Sequence, residues 1–589
     1  MDINYRIYKL RELMKNRGID AYIVPTSDPH QSEYIADYYK TREYISGFTG
    51  SAGTVVITKN KSGLWTDSRY FLQAKKELAN TEIKLYKMGV SGVENYDEFL
   101  KKEVGEFGKI GFDGTCFSLQ DYRNLSEKLG SRMLISDIDF IGKIWEKRPK
   151  LPKNKVWIYD EKYVGESTLS KIEKIREKMN SNNCDYTFIG SPEDICYILN
   201  IRGDDIEYNP VVLSYMLIGN DKIYLCIDQD KLTKEVEDYL KKFNITVSSY
   251  DYIFKLIKSI PGKSRIYLDP ERTNVKIYNS INSNVRITFG TNFSTNMKSI
   301  KNDIEIKNEK IAYIKDAVAL VKFFNWVETG VSTGVLTEYI ASDKLHDIRK
   351  KDKDFIEESF ETISAYADNA AIVHYSPSKG NSKTLKNEGL FLVDSGAHYM
   401  QGTTDITRTI SLGKLTEEEK IDYTLVLKSH IALATAIFKE GTNGQRLDMI
   451  SKYPLWKAKK DFFHGTGHGV GFTLTVHEGP QRISFNDETI FKKNMTTSNE
   501  PGLYIEGKHG IRIENEVYVD ICEENEFGKF FKFENLTYVP IDTRPVVKEM
   551  LDGWEIKRIN EYNKKCFDII SEYLDENDLE YLKKICEEI

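Results

Sequence analysis

The chain has 589 residues, with 83 Lys and Arg against 90 Asp and Glu and a formal net charge of −7. Its 40% hydrophobic and 12% aromatic content is enough for several cores and too high for a disordered chain, and its mild acidity argues against nucleic acid as a partner. No run approaches the about 18 apolar residues of a membrane-spanning helix, and domains of about 100–200 residues predict three of them.

The N-terminus is charged from Asp2 and Arg6 onward and lacks the uninterrupted apolar stretch of an export signal. The seven cysteines are scattered and form no C-x-x-C pair, which fits reduced thiols in the cytoplasm. Tyr8, Leu10, Leu13 and Met14 predict a helix over 5–17, followed by a strand at Ala21–Val24. The pattern recurs, with a helix over 169–180 carrying Leu169, Ile172, Ile175 and Met179, then a strand at 185–189. Asp20 and Asp185 occupy matching places, and the Ser-Pro turn at 191–192 echoes Ser27-Asp28-Pro29, so two related α/β domains in tandem are expected. The basic, proline-bearing stretch 147–153 reads as a linker, and a second boundary falls near 300. The domains are thus 1–153, 154–300 and 301–589.

The third domain opens on a long helix with Ile311, Ile314, Val318, Val321 and Phe324 as its stripe. Strands at 389–393 and 404–410 are expected to flank a short polar turn, as in a hairpin. The tail from about Leu551 reads as a packing helix with Ile556, Ile559, Tyr562, Cys566, Ile569 and Tyr573 on one face.

Of nine histidines, four stand in promising context: His374, His464, His468 and His477. His464-Gly465-Thr466-Gly467-His468-Gly469 is glycine-rich, which lets backbone approach a ligand. It lacks the Lys-Ser/Thr ending of a phosphate loop and is not an H-E-x-x-H zinc helix. Asp394 and Asp405 lie on the two arms of the hairpin, Glu500 beside a Pro-Gly turn, and Glu514 in the alternating stretch 510–516. An acidic pair alone says little among 90 acids. Two Asp, two Glu and one His together are what two divalent ions need when carboxylates bridge them. Oxygen-rich ligation with one imidazole favours Mn²⁺ and leaves Co²⁺, Fe²⁺ and Zn²⁺ open. Arg512 either orients a ligand carboxylate or sits in a surface salt bridge. His30, His346, His398, His430 and His509 are assigned packing or surface roles, with His398, in the hairpin turn, placed where it could still approach the site.

Asp394-x10-Asp405, His464-Gly465-Thr466-Gly467-His468-Gly469, Val476-His477-Glu478-Gly479-Pro480, Asn499-Glu500-Pro501-Gly502 and Gly510–Asn515 resemble the pita-bread metallopeptidases, most closely aminopeptidase P of the long three-domain type. Ser46–Thr54, Trp65–Phe71 and Leu536–Pro540 are similar to that subfamily too, so the resemblance spans nearly the whole chain. It implies two creatinase-like α/β domains followed by an α+β pita-bread catalytic domain. It also implies that Asp394 binds one metal, His468 and Glu500 the other, and that Asp405 and Glu514 bridge the pair. His374, His464 and His477 match substrate and transition-state histidines. Leu503 stands where the family often has Tyr after the Pro-Gly, and Asn563 where the tail commonly has His.

The implied reaction is hydrolysis of the N-terminal Xaa-Pro bond of peptides with proline second, by a metal-bridging hydroxide with Glu500 as general acid/base. The implied assembly is a homodimer through the catalytic domain. A prolidase restricted to Xaa-Pro dipeptides shares the metal core and is the alternative. A non-catalytic binding protein on the same fold would be expected to have lost ligands, and all five are present.

Overall fold

The computed structural model describes residues 2–589 and divides into two compact units. One comprises the chain up to Glu161 with Glu166–Asn296; the other, Lys162–Gly165 with Met297–Ile589.

Two six-stranded sheets in the first unit share one plan. In the first sheet Ala21–Pro25 is central. It runs antiparallel to Thr54–Thr58, which is antiparallel to Ser62–Thr66, itself parallel to Ile83–Lys87. On its other side lie Lys109–Gly111 and Met133–Ile135, both parallel. The second sheet repeats this order and these directions around Tyr186–Ile189. Ser214–Gly219, Ile223–Ile227 and Ile245–Ser248 stand on one side, Arg265–Leu268 and Arg286–Phe289 on the other. Asp20 and Asp185 serve the same purpose in each copy: each carboxylate accepts from the backbone N–H that opens the fifth strand, Lys109 or Arg265, at 2.8 Å.

The helix before each central strand packs one stripe inward. Ile3–Arg17 buries Ile7, Leu10 and Met14 and stops at Gly18, whose φ of 62° suits a residue without Cβ. Tyr8, expected on that stripe, lies outside it, because one residue turns a helix by about 100°. In the second copy Thr168–Ser181 buries Ile172, Ile175 and Met179, starts on Ser167, and leaves Leu169 exposed. The Ser-Pro echo is only sequential. Ser191 caps the helix Pro192–Leu199, whereas Asp28 folds a turn without a helix by accepting from the His30 and Ser32 N–H groups.

In the second unit Asn302 and Glu305 form a capping box that starts the helix Asp303–Gly330. Its buried surface is wider than the predicted stripe. Tyr313, Ala317, Leu320, Phe323 and Val327 are buried with Val321 and Phe324, while Ile311 is exposed. Beside it Leu390–Ser395 pairs antiparallel with Ile406–Ser411 and places Asp394 opposite Thr407.

The connection between these strands is not the short polar turn expected. Residues 396–405 form a second, buried hairpin in which Ala397–Tyr399 pairs with Gly402–Thr403 and with Phe355–Glu358. A buried ion pair explains why polar residues can run there. Arg349, from the helix Glu338–Arg349, meets both oxygens of Asp316 on Asp303–Gly330 at 2.7 and 2.9 Å. Thr404 and Tyr399 hydroxyls donate to the same carboxylate, and Arg349 donates to Ser395 Oγ and the Gly396 carbonyl. Ser395 follows Asp394 and Thr404 precedes Asp405, so two helices grip the chain beside each aspartate.

Removing one partner of a fully buried, hydrogen-bonded pair costs about 3–5 kcal/mol. Arg349→Met should therefore lower the unfolding free energy by about that amount, read from urea denaturation as a lower midpoint at unchanged slope.

Candidate metal centre

The acidic and imidazole groups converge at the ends of paired strands. Thr496–Asn499 runs antiparallel to Asn515–Asn525 with Asn499 opposite Asn515, so Glu500 and Glu514 emerge side by side where that pairing ends. Gly467–Gly469 carries His468 against Glu478–Ile483. The glycines are required here, since a Cβ at Gly467 would lie 2.0 Å from the Ser498 carbonyl oxygen. The close approach is used: Glu500 N–H donates to the Thr466 carbonyl at 2.8 Å, and His468 N–H to Ser498 Oγ at 3.0 Å.

Three overlapping groups of ligand atoms, each within 4.8 Å, result: Asp394, Asp405 and Glu514; His468, Glu500 and Glu514; and Asp405, His468 and His477. His468 Nε2 stands 3.4 Å from both Asp405 Oδ2 and Glu500 Oε1. Asp405 and Glu514 recur between the groups, the arrangement that bridging carboxylates need. His477 lies edge-on to His468 with ring centroids 4.3 Å apart. His464 stands at the rim, its Nδ1 3.9 Å from Glu500 Oε2. His374 is in none of the three groups. It lies in the loop after the 3-10 turn Ala367–Ala371, against which Gly510 packs so tightly that a Cβ there would strike the Ala370 carbonyl.

Arg512 is buried and bonds Asp394 Oδ2, Thr407 Oγ1 at 3.2 Å and the Tyr504 hydroxyl at 2.7 Å. The surface salt bridge is thereby excluded. Tyr504 was not foreseen. Leu503 points into the core, and the next residue supplies the phenol, which meets Arg512 and, at 2.8 Å, His464 Nε2. Its strand, Gly502–Ile505, pairs with His509–Arg512, with Gly502 opposite Arg512. Among the remaining histidines His430 braces the site: Asn499, beside Glu500, donates to its carbonyl at 3.0 Å. Burial first and the Arg408 charge second push its imidazole down to about 3.

Burial and mutual repulsion shape the electrostatics. Desolvation raises Asp394, opposed by Arg512 and reinforced by Asp405. It also raises Glu500, against His468, and lifts Glu514 well above the usual carboxylate range with help from Asp405 and Glu500. Burial pulls His468 down, yet Asp405 and Glu500 outweigh it and raise the imidazole to about 9. Asp394 Oδ1 is buried with no hydrogen-bond partner. A set of convergent carboxylate oxygens with His468 among them and His477 beside it, too crowded to ionise together, fits two divalent cations.

Four family models match the chain. Two for the creatinase/prolidase N-terminal domain cover 6–146 and 147–305, that for metallopeptidase family M24 covers 307–520, and that for the C-terminal region of peptidase M24 covers 529–589. Xaa-Pro aminopeptidase 1 of Dictyostelium discoideum is 38% identical over 96% of this chain and 92% of its own. Aminopeptidase P2 of Arabidopsis thaliana is 37% identical over 97% and 86%. The crystal structure of X-prolyl aminopeptidase from Caenorhabditis elegans, described as a cytosolic enzyme with a di-nuclear active site, superposes with a TM-score of 0.96 at 34% identity, covering 100% of both chains. The chain belongs to the Xaa-Pro aminopeptidase family of M24 metallopeptidases. The two creatinase-type domains and the catalytic domain of this Xaa-Pro aminopeptidase family member follow the order that the resemblance implied.

Ligation requires His468 neutral and the carboxylates ionised. Because the metal-free site holds its proton on His468 up to about pH 9, metal uptake at neutral pH displaces protons, and affinity falls as pH falls. Titration calorimetry with Mn²⁺ in buffers of different ionisation enthalpy should show net proton release at pH 7 that shrinks toward pH 9.

Proposed function

We propose that the chain is a metal-dependent aminopeptidase that hydrolyses the Xaa-Pro bond at the N-terminus of peptides, with Asp394, Asp405, His468, Glu500 and Glu514 as metal ligands. The observation that carries this is the convergence of those five side chains in a chain matched over nearly its full length by named Xaa-Pro aminopeptidases. The prolidase alternative is disfavoured by that full-length match, which includes both N-terminal domains.

Two divalent ions held there supply Lewis-acid polarisation of the scissile carbonyl and a lowered pKa for water. Mn²⁺ is the ion that four carboxylates and one imidazole suit best. The bond before proline needs a dedicated site, because its nitrogen has no N–H and its ring fixes the backbone. Water adds to the carbonyl carbon, the C–N bond breaks, and the proline nitrogen takes up a proton. Glu500 is the group to carry that proton, since burial already holds its carboxyl above the ordinary range. His477 and His374 donate to the carbonyl oxygen as it gains charge, a contact worth about 3 kcal/mol. His464 lines the proline pocket, with its ring oriented by Tyr504.

A homodimer through the catalytic domain is supported by one helix. Met449, Tyr453 and Trp456 follow at helical spacing along Gly444–Lys457 and stay exposed, Tyr453 at 61%. Cytoplasmic residence is supported by seven unpaired cysteines and by the description of the Caenorhabditis elegans enzyme as cytosolic.

Metal-stripped protein is expected to release free Arg from Arg-Pro-Pro only when Mn²⁺ is restored, and Asp405→Ala to stay inactive. Cleavage of Ala-Pro alone would transfer the assignment to prolidase. Cleavage of neither with any divalent ion would refute the peptidase reading. Tyr453→Arg should yield monomers by analytical ultracentrifugation; an unchanged dimer would place the interface elsewhere.

A further inference from the structure

The residue after His477 is held in a way that neither the metal ligands nor hydrophobic packing requires. Glu478 is buried, and its two carboxylate oxygens are divided between two buried lysines: Oε1 lies 2.8 Å from Lys301 Nζ, Oε2 2.9 Å from Lys298 Nζ. Lys301 Nζ also donates to the Lys298 carbonyl at 2.9 Å, which locks the two lysines to each other. Both come from the short segment before Asp303–Gly330. That segment is itself fixed: Lys301 N–H donates to the Asn494 carbonyl at 3.0 Å, and Ile300 bridges Met495. The carboxylate is thus anchored on backbone that belongs to neither strand of the metal site.

Stability does not explain such a triad, because exchanging buried ion pairs for apolar side chains is often neutral or favourable. What it does is fix a strand start. Glu478–Ile483 begins at Glu478, whose partner in register is Gly469, the residue after His468. The backbones meet so closely that a Cβ on Gly469 would lie 2.3 Å from the Glu478 carbonyl oxygen. His477 directly precedes this strand, so clamping the Glu478 carboxylate fixes the backbone from which His477 projects beside His468 and Asp405. The two lysines keep Glu478 ionised: burial raises its pKa, and the two adjacent ammonium groups bring it below the ordinary carboxylate value. Lys301 also feels the Glu305 and Glu309 carboxylates, so its charge is shared among three acids.

We infer that Glu478, clamped by Lys298 and Lys301, is a positioning residue that aims the His477 ring at the scissile carbonyl. The inference rests on the proposed role of His477 as a donor to substrate. Displacing a catalytic group by about 1 Å can cost about a hundredfold in rate, so the effect should appear in turnover and spare metal and substrate binding.

The test is a double-mutant cycle on full-length, Mn²⁺-loaded enzyme with Arg-Pro-Pro, measuring kcat, KM, bound metal and melting temperature. Glu478→Gln keeps shape and removes the charge. It should lower kcat by about tenfold to a hundredfold, with KM and metal content as in wild type, and in a His477→Ala background it should cause no further loss. Wild-type turnover in Glu478→Gln, or the same fractional loss with and without His477, would overturn the inference. If His477→Ala alone keeps full turnover, its premise is what fails, an outcome distinct from an impaired His477→Ala beside an active Glu478→Gln. Should Glu478→Gln not fold, Lys298→Met removes one arm of the clamp. A partial loss of kcat in it that vanishes without His477 supports the inference, and full activity overturns it.

Discussion

Four carboxylates buried within reach of one another repel, and the catalytic unit is built around that repulsion. At the low effective dielectric of an interior, each added charge raises the cost of the next. The chain offsets part of it from within. Arg512 neutralises Asp394, the Thr407 hydroxyl donates to Glu514 at 2.7 Å, and Ser498 Oγ donates to Glu500 at 3.1 Å. What these contacts leave over is negative charge that a pair of dications would take up. The same imbalance that makes this set costly to bury suits it to divalent cations.

Such a set has to be assembled from rigid parts, since loose acids would turn away from each other toward water. Antiparallel pairing does this: Glu500 and Glu514 stand just beyond the paired Asn499 and Asn515, while Asp394 lies one residue inside and Asp405 one residue outside the end of their strand pair. His468 is threaded between them on backbone so close to Ser498 that only glycine can precede it. The aspartate pair needs more support, because its connecting segment runs inside the protein. The Asp316–Arg349 pair supplies it by satisfying the polar groups on both sides of the ligands. Charge is therefore used twice, once to hold the frame and once within it.

Much of this was legible in the sequence where one local rule decides. The repeated helix and strand with Asp20 and Asp185 at matching places carries through to identical strand order, because hydrophobic period and a single capping carboxylate act over a few residues. The convergence of Asp394, Asp405, His468, Glu500 and Glu514 was legible as well, from acids and a histidine spaced along the catalytic unit in a recognisable order. The expected polar turn between the aspartates failed for the opposite reason. Its polarity is paid for by partners on two helices distant in sequence, and nothing local to 396–405 announces them. Tyr504 and the helix-wide burial along Asp303–Gly330 escaped likewise, since both depend on neighbours that only the folded chain brings.

The C-terminal helix shows how far such dependence reaches. Taken alone, Gly553–Ile570 is a packing helix. Its Tyr562, however, accepts at 2.9 Å from Arg408, a fully buried guanidinium that also donates to the Glu514 carbonyl, Asn515 Oδ1 and the Val539 and Pro540 carbonyls. Asn563, where a histidine is common in the family, donates to the Ile541 carbonyl and accepts from its N–H, both at 2.9 Å. An amide can do both at once, whereas a neutral imidazole has one donor and one acceptor on opposite sides of its ring. This departure in the tail keeps a two-point grip on Ile541, next to the Val539 and Pro540 carbonyls that Arg408 ties to Glu514. A buried arginine with a lost partner is costly, so the tail and the Glu514 backbone hold each other in place.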